Sequence, residues 1–265
     1  MVRQLSGPSR LADLFHEAGI VSLLYVAWRL VGQLSVIDPE GAFRRAQTVW
    51  DIERWLRLPD EAQWQAMILD HEWLVRVANF YYGGAHVPGM GIFLIWMFMA
   101  RANHLRYWRN VLAASTILSV LIQLFPVAPP RFIPAFNLVD TPELYGQSVY
   151  PSIDLAVIEQ AIATNDTDLL SRLSGQLQAM PSIHVVWAVL IAAAAWQLAG
   201  WWGRLVGVAH AAATVWVVTV TGNHYLLDGI VGAVVLAAVI WVARLRPKGL
   251  QVVPEGERQL ASESR

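Results

Sequence analysis

Apolar residues in this chain come in long blocks separated by short polar seams. Blocks of this kind predict helices buried in apolar surroundings rather than alternating strands. After a polar tail over residues 1–15, a first span is expected from about His16 to Val36, with Arg29 snorkelling from it towards an interface. Residues 37–70 are too charged to cross a bilayer. Within them Ala42, Ala46, Val49, Trp50, Trp55 and Leu56 form a helical stripe among charges, which predicts an in-plane interfacial helix over 42–58. Pro59-Asp60-Glu61 marks the start of another short helix, because proline and acids suit a first turn. The apolar stretch from Glu72 to Arg101 is broken by Gly83-Gly84 and Val87-Pro88-Gly89, so two helices are expected, about 70–84 and 88–102, with one kinked helix as the alternative. A span over 111–125 stops at Pro126-Val-Ala-Pro-Pro130, where prolines remove backbone donors and restrict their predecessors.

Residues 132–180 are the one long hydrophilic segment between spans. A helix is expected over Leu155 to Leu177, interrupted at Asn165-Asp166-Thr167, and the segment is expected to cap a site. Further spans follow over about 181–198, 205–221 and 225–243. The fold class expected is all-α: a polytopic membrane helical bundle of six or seven transmembrane helices, with an in-plane interfacial helix near the N-terminus. Its divisions are an N-terminal span and interfacial helix (1–70), a membrane core (71–246) with the 132–180 cap loop, and a disordered tail (247–265).

Composition agrees with that pattern. Of 265 residues, 56% are hydrophobic and 15% charged, against about 25% charged in a soluble domain. There is no cysteine, which excludes disulfides, a thiol nucleophile and cysteine metal sites. The net charge of −1 and the lack of a basic run give no sign of nucleic acid as a partner. The N-terminus mixes arginines with Asp13 and Glu17, so no cleaved signal peptide is expected. A short basic connection is expected at 101–109 and a turn of the chain at Trp201-Trp-Gly-Arg204; with the basic flank at 244–248 they agree on one orientation, cytoplasmic by the positive-inside rule. Arg131, His184 and His224 then fall at the extracytoplasmic ends of their helices.

The chemistry concentrates at those ends. In Thr221-Gly-Asn-His-Tyr-Leu-Leu-Asp228, four-residue spacing sets His224 and Asp228 on one helical face, and ionisable residues at membrane depth point to function. An aspartate can hold one imidazole nitrogen protonated and leave the other free to attack. A second histidine can protonate a leaving group, and the fork of Arg131 suits phosphate oxygens. Ser182 and Asn223 are expected as helix caps beside the histidines, where first-turn N–H groups add to an anion site. Asn79, Tyr82 and His86, near the 83–89 break, are expected either as helix-end polar residues or as a wall of the pocket. The same polar residues would equally serve a non-catalytic lipid-binding or transport protein.

Ala128-Pro-Pro-Arg131, Met180-Pro-Ser-Ile-His184 and Gly222-Asn-His-Tyr-Leu-Leu-Asp228, in that order, resemble the three signature segments of the type-2 phosphatidic acid phosphatase superfamily. They are most similar to its inositol phosphorylceramide synthase-like branch and related actinobacterial membrane proteins. The resemblance covers about residues 70–245. It implies a metal-independent phosphatase or phosphotransferase, without a cofactor, that works through a phosphohistidine in a bacterial plasma membrane. On that template His224 is the nucleophile, Asp228 orients it and His184 protonates the leaving group. Arg131, Ser182 and Asn223 would hold the phosphate. The substrate would be a lipid phosphate, diphosphate or phosphoinositol lipid, and the acceptor water, an alcohol or a polyol. No oligomeric state is implied. Leu124, Phe132, Ile183 and Val218 stand where the broader family has lysine, proline, glycine and arginine. The last two departures match the synthase-like branch. The missing cations leave Arg131 short of help in the phosphate cradle, and a residue that supplements it there is expected from 37–70 or 132–180.

Overall fold

The computed structural model describes residues 39–141, 144, 155–164, 166 and 176–245, with 15–17, 19, 20, 22, 23, 26 and 30. The expected first span therefore lies mostly outside the described residues, as do the terminal tails and much of 142–175. The described part is helical, without strands. Helix α1 spans Pro39–Trp55 and α2 Glu61–Leu69. α3 (Glu72–Gly84) and α4 (His86–Ala100) follow, then α5 (Ala102–Ile122) and α6 (Leu155–Thr164). The chain ends in α7 (Ile183–Leu198), α8 (Trp201–Val220) and α9 (Leu226–Leu245).

Local sequence explains most of these boundaries. Asp60 caps α2 as expected, its side chain accepting from Ala62 N at 3.0 Å. The glycine-rich break does divide the 72–101 run, where α3 and α4 bend by 53°. Two expectations are corrected. The basic segment 101–109 is not a connection: α5 starts at Ala102, so its arginines lie in the helix's first turns and Arg101 alone links α4 to α5. Likewise Trp201–Arg204 opens α8 rather than turning the chain.

Among the described residues two helices, α8 and α9, are long and apolar enough to cross a membrane, or three spans if the bent α3–α4 pair counts as one. The expected six or seven are not reached by that measure. The sixteen residues of α7 fall short of the roughly 20 a straight span needs, and the start of α5 is polar. Outward faces of the bundle are nonetheless apolar. Phe80, Ile92, Met99, Val206, Val234 and Trp241 are all exposed, which suits contact with lipid tails and not with water.

Two packed regions enclose the functional end of the bundle. Between the helices, Met90, Phe93, Met97, Trp108, Leu112, Val186, Leu190 and Leu236 are buried together. Over the helix ends a second core joins α1 (Ala42, Ala46, Val49) to Val127, Ala128, Phe132, Phe136, Ala161, Leu177, Ala179 and Tyr225. Of the stripe read from the sequence, Ala42, Ala46 and Val49 are buried and Trp50 is half-buried, whereas Trp55 and Leu56 are exposed; Trp50 stacks on Phe136 with ring centroids 4.2 Å apart. The proline-rich segment anchors this cap. Ala128 N donates to Ala42 O at 3.1 Å, Arg45 Nε to Pro126 O at 2.6 Å and Tyr225 OH to Ala128 O at 3.0 Å. Gln65 fastens the next stretch, its Nε2 donating to Val139 O (2.9 Å) and Val220 O (3.0 Å).

The turn between α8 and α9 depends on one glycine. Gly222 has φ of +67°, the left-handed conformation that ends many helices. Its N–H donates to Thr219 O at 2.9 Å and that of Asn223 to Val218 O at 3.2 Å, which closes α8 and aims the chain at the site. A Cβ on Gly222 would sit 2.9 Å from Arg131 Cβ. Gly222→Ala should therefore cost about 1–2 kcal/mol for the left-handed backbone alone, and more for displacing Arg131. A lowered unfolding temperature in detergent is expected; wild-type melting would contradict this account of the turn.

Candidate active site

The site forms where the ends of α3, α7, α8 and α9 meet the proline-rich segment. His184 sits in the first turn of α7. Ser182 caps that helix as expected, its Oγ accepting from Val185 N at 3.4 Å. The Ser182 N–H donates to Asp228 O at 3.2 Å, so the second motif is stitched to the third. A side chain on Gly232 would meet Val186 Cγ2 at 3.0 Å and Ser182 O at 3.1 Å. The absence of one lets α9 lie against the start of α7.

The geometry around His224 differs from the expected helical face. α9 begins only at Leu226, so His224 precedes it in non-helical chain and Asn223 is not its cap. The two side chains meet all the same, with Nδ1 3.3 Å from Asp228 Oδ2. A nearer partner, not foreseen from sequence, is the Ala179 carbonyl, 2.7 Å from Nδ1. A carbonyl only accepts, so Nδ1 carries the proton and Nε2 keeps its lone pair. Nε2 is buried and has no protein hydrogen-bond partner. Ala179 is itself fixed, its N–H donating to Val127 O at 3.0 Å. Asp228 Oδ2 also accepts from Tyr225 N at 2.9 Å, which anchors the carboxylate.

His184 is the nearest second base, with ring centroids 5.6 Å from His224. Tyr82 stacks on His184 at 4.5 Å and lies 6.2 Å from His224. His86 packs on the other side of His184 at 4.2 Å and stacks on Trp187 at 4.5 Å. Tyr82 and His86, two of the three residues singled out near the helix break, thus line the histidine pair. A cavity of about 10 Å³ lies beside them, walled by Tyr81, Tyr82, His86, His184, His210 and Thr214; that is room for a single water. Asn79 takes the other role read for it: its Nδ2 donates to Thr141 O at 3.1 Å, tying α3 to the loop.

Arg131 rides on a short 3₁₀ turn, Pro130–Phe132, and its N–H donates to Gly222 O at 3.1 Å. Its guanidinium donates through Nη1 to Asn223 Oδ1 and through Nη2 to Gln176 Oε1 at 3.1 Å. Asp140 lies 3.6 Å from its Nε, and the group sits over the Phe132 ring at 4.4 Å. Burial lowers the pKa of Arg131 from its ordinary value, and Asp140 opposes that. The cation is therefore tied directly to the residue before His224. Gln176 and Asp140, both from the 132–180 segment, are neighbours of Arg131 that sequence reasoning did not name. Neither belongs to a motif, so only the fold could find them.

Arg101 Nε donates to Leu198 O at 3.0 Å, placing the α4–α5 and α7–α8 junctions together at the end opposite His184 and His224. Among the described residues, no group of three or more acidic, histidine or cysteine side chains could hold a metal ion.

The sequence model of the PAP2 superfamily matches residues 47–242, a stretch that contains every residue named in this site. No curated protein and no solved structure matches the chain. Membership implies a phosphatase-type enzyme, and two histidines in ring contact beside a buried arginine are parts that such chemistry uses. The chain belongs to the PAP2 superfamily.

Proposed function

We propose that this protein is an integral membrane lipid phosphatase or phosphotransferase acting through a phosphohistidine at His224, without a metal. The observation that carries the reading is the state of His224: Nδ1 is fixed by two acceptors, Ala179 O at 2.7 Å and Asp228 Oδ2 at 3.3 Å, and Nε2 is left free. In the first half-reaction the Nε2 lone pair attacks phosphorus and the bond to the leaving oxygen breaks. His184 donates a proton to that oxygen. In the second half-reaction water or an alcohol attacks the phosphohistidine. His184 takes the attacker's proton and the P–N bond breaks. Asp228 stabilises the imidazolium that forms between the steps, as a carboxylate does for a histidine it contacts. Arg131, set by Asn223 and Gln176, would meet the phosphate oxygens, with Ser182 supporting from the start of α7.

The substrate proposed is an amphiphile bearing a phosphate, diphosphate or phosphoinositol head, its tail lying between helices. The apolar outer faces of the bundle motivate this choice. The motif forms favour the synthase-like branch, and with it transfer to an alcohol or polyol. The reading includes a bundle of six or seven spans in a bacterial plasma membrane, and the basic flanks opposite the histidines support a site at its extracytoplasmic face. The 42–58 stripe is read as an in-plane helix on that face.

Three outcomes test this reading. His224→Ala should lower phosphate release or headgroup transfer in detergent by at least about a thousandfold. Turnover that survives the change would leave a lipid-binding or transport protein as the better reading. His184→Asn should slow turnover about 10²–10⁴-fold, and acid-labile phosphate should still accumulate on the protein with substrates whose leaving group needs no proton. Arg131→Lys should raise KM or lower kcat by about tenfold or more despite keeping the charge, since an ammonium lacks the planar fork; unchanged kinetics would remove Arg131 from the phosphate site.

A further inference from the structure

Helix α9 supplies one oxygen of its own to its first N–H groups. Asp228 Oδ2 accepts from Tyr225 N at 2.9 Å. A helix start ordinarily relies on a nearby capping side chain for the rest. Here the next two N–H groups reach across the chain to the N-terminal segment. Leu226 N donates to Glu61 Oε1 at 3.3 Å and Leu227 N to Glu53 Oε1 at 2.7 Å. Both acids are fully buried. They come from different helices, α1 and α2, and the chemistry described above uses neither.

Their second oxygens converge as well. Arg54 Nη2 lies 2.9 Å from Glu61 Oε2 and 3.8 Å from Glu53 Oε2. Arg54 is itself packed over the Trp50 ring at 4.4 Å. One guanidinium cannot neutralise two buried carboxylates that also face Asp228, and like charges so placed make one of them keep its proton. Glu61 has the hydrogen bond from Arg54, whereas Glu53 Oε2 accepts none. Glu53 is therefore the acid that is protonated.

We propose that Glu53 and Glu61 are positioning residues: as acceptors for Leu227 N and Leu226 N they clamp the first turn of α9 and so hold Asp228, and through it His224, in register. The consequence for catalysis rests on the reading of His224 as nucleophile; the acid pair itself does not. Titration agrees with the geometry. Burial first, then the hydrogen bond and charge of Glu61, push Glu53 from an ordinary 4.5 up to about 9, against the opposing Leu227 N–H. The groups facing it are Arg54 on its own helix, Asp60 and Glu61 at the start of α2, and Tyr225 and Asp228 at the start of α9. An acid whose folded value is raised contributes its stabilisation fully below 4.5 and loses it as pH climbs through about 9. The clamp should then open.

The test uses the full chain in detergent. Infrared spectra at neutral pH should show a protonated-carboxyl band that Glu53→Gln removes and His224→Ala keeps. Glu53→Ala should lower kcat about 10–100-fold with KM little changed, as a small misplacement of the reacting group does. Glu53→Gln, which is neutral and still accepts from Leu227 N, should restore kcat to within about threefold of wild type on the same basis. The wild-type fall in kcat above about pH 9 should be absent in that variant. Resonances of ¹⁵N in the His224 ring should shift in Glu53→Ala and not in Glu53→Gln, a readout that needs no turnover. An unchanged carboxyl band in Glu53→Gln overturns the proposal, as do unshifted His224 resonances in a folded Glu53→Ala. If Glu53→Ala does not fold, an alkaline fall retained by Glu53→Gln overturns it. Undiminished turnover in His224→Ala would instead defeat the phosphohistidine reading and leave the acid pair standing.

Discussion

The hydrogen bond from His224 Nδ1 to the Ala179 carbonyl, 2.7 Å long, is the contact on which the site depends. It sets the tautomer of an imidazole that lies outside any helix, and it ties the third motif to the residue just before the second. Its strength comes from what stands behind it. Ala179 is pinned to Val127, and Val127 belongs to a proline-rich segment anchored in turn to α1 and to Tyr225. A chain of backbone contacts therefore fixes the acceptor, where a mobile side chain would not.

The polar groups of this region are costly to bury and are paired accordingly. Arg131 has two amide oxygens and a carboxylate around it, Gln65 bonds both Val139 and Val220, and Asn79 and Thr141 bond each other twice. In a low-dielectric setting such networks rigidify when satisfied and destabilise when broken. They also explain why the cap is more than a cover. Phe132, Phe136, Leu177 and Ala179 pack with α1 into one buried cluster, so the loop that supplies the carbonyl and the Arg131 partners is part of a core.

Much of this was legible in the chain. Proline and glycine at the seams, and the capping residues Asp60 and Ser182, act through their nearest neighbours, so helix α2, the α3–α4 break and the start of α7 could be read locally. His224, Asp228, His184 and Arg131 could be singled out because ionisable groups among apolar runs are rare enough to stand out. The errors have a shared cause. The basic residues of 101–109 suggest a connection because charge favours a loop, yet arginine is a good helix former and Arg106 and Arg109 lie within α5. Asn223 was read as a cap because its type suits one. The left-handed Gly222 and the pull of Arg131 turn it instead towards the guanidinium.

By itself, the sequence determined which ionisable residues stand out among the apolar runs, the order of the three motifs and the family, because those reside in residue type and spacing. Tertiary structure decided which atoms serve them. The Ala179 carbonyl, Gln176, Asp140 and the carboxyls of Glu53 and Glu61 belong to no motif. A backbone oxygen has no side-chain signature, and Glu53 and Leu227 are joined across 174 positions. The physical reason is that a buried donor takes whichever acceptor the packing brings within about 3 Å, and spacing along the chain does not encode that choice.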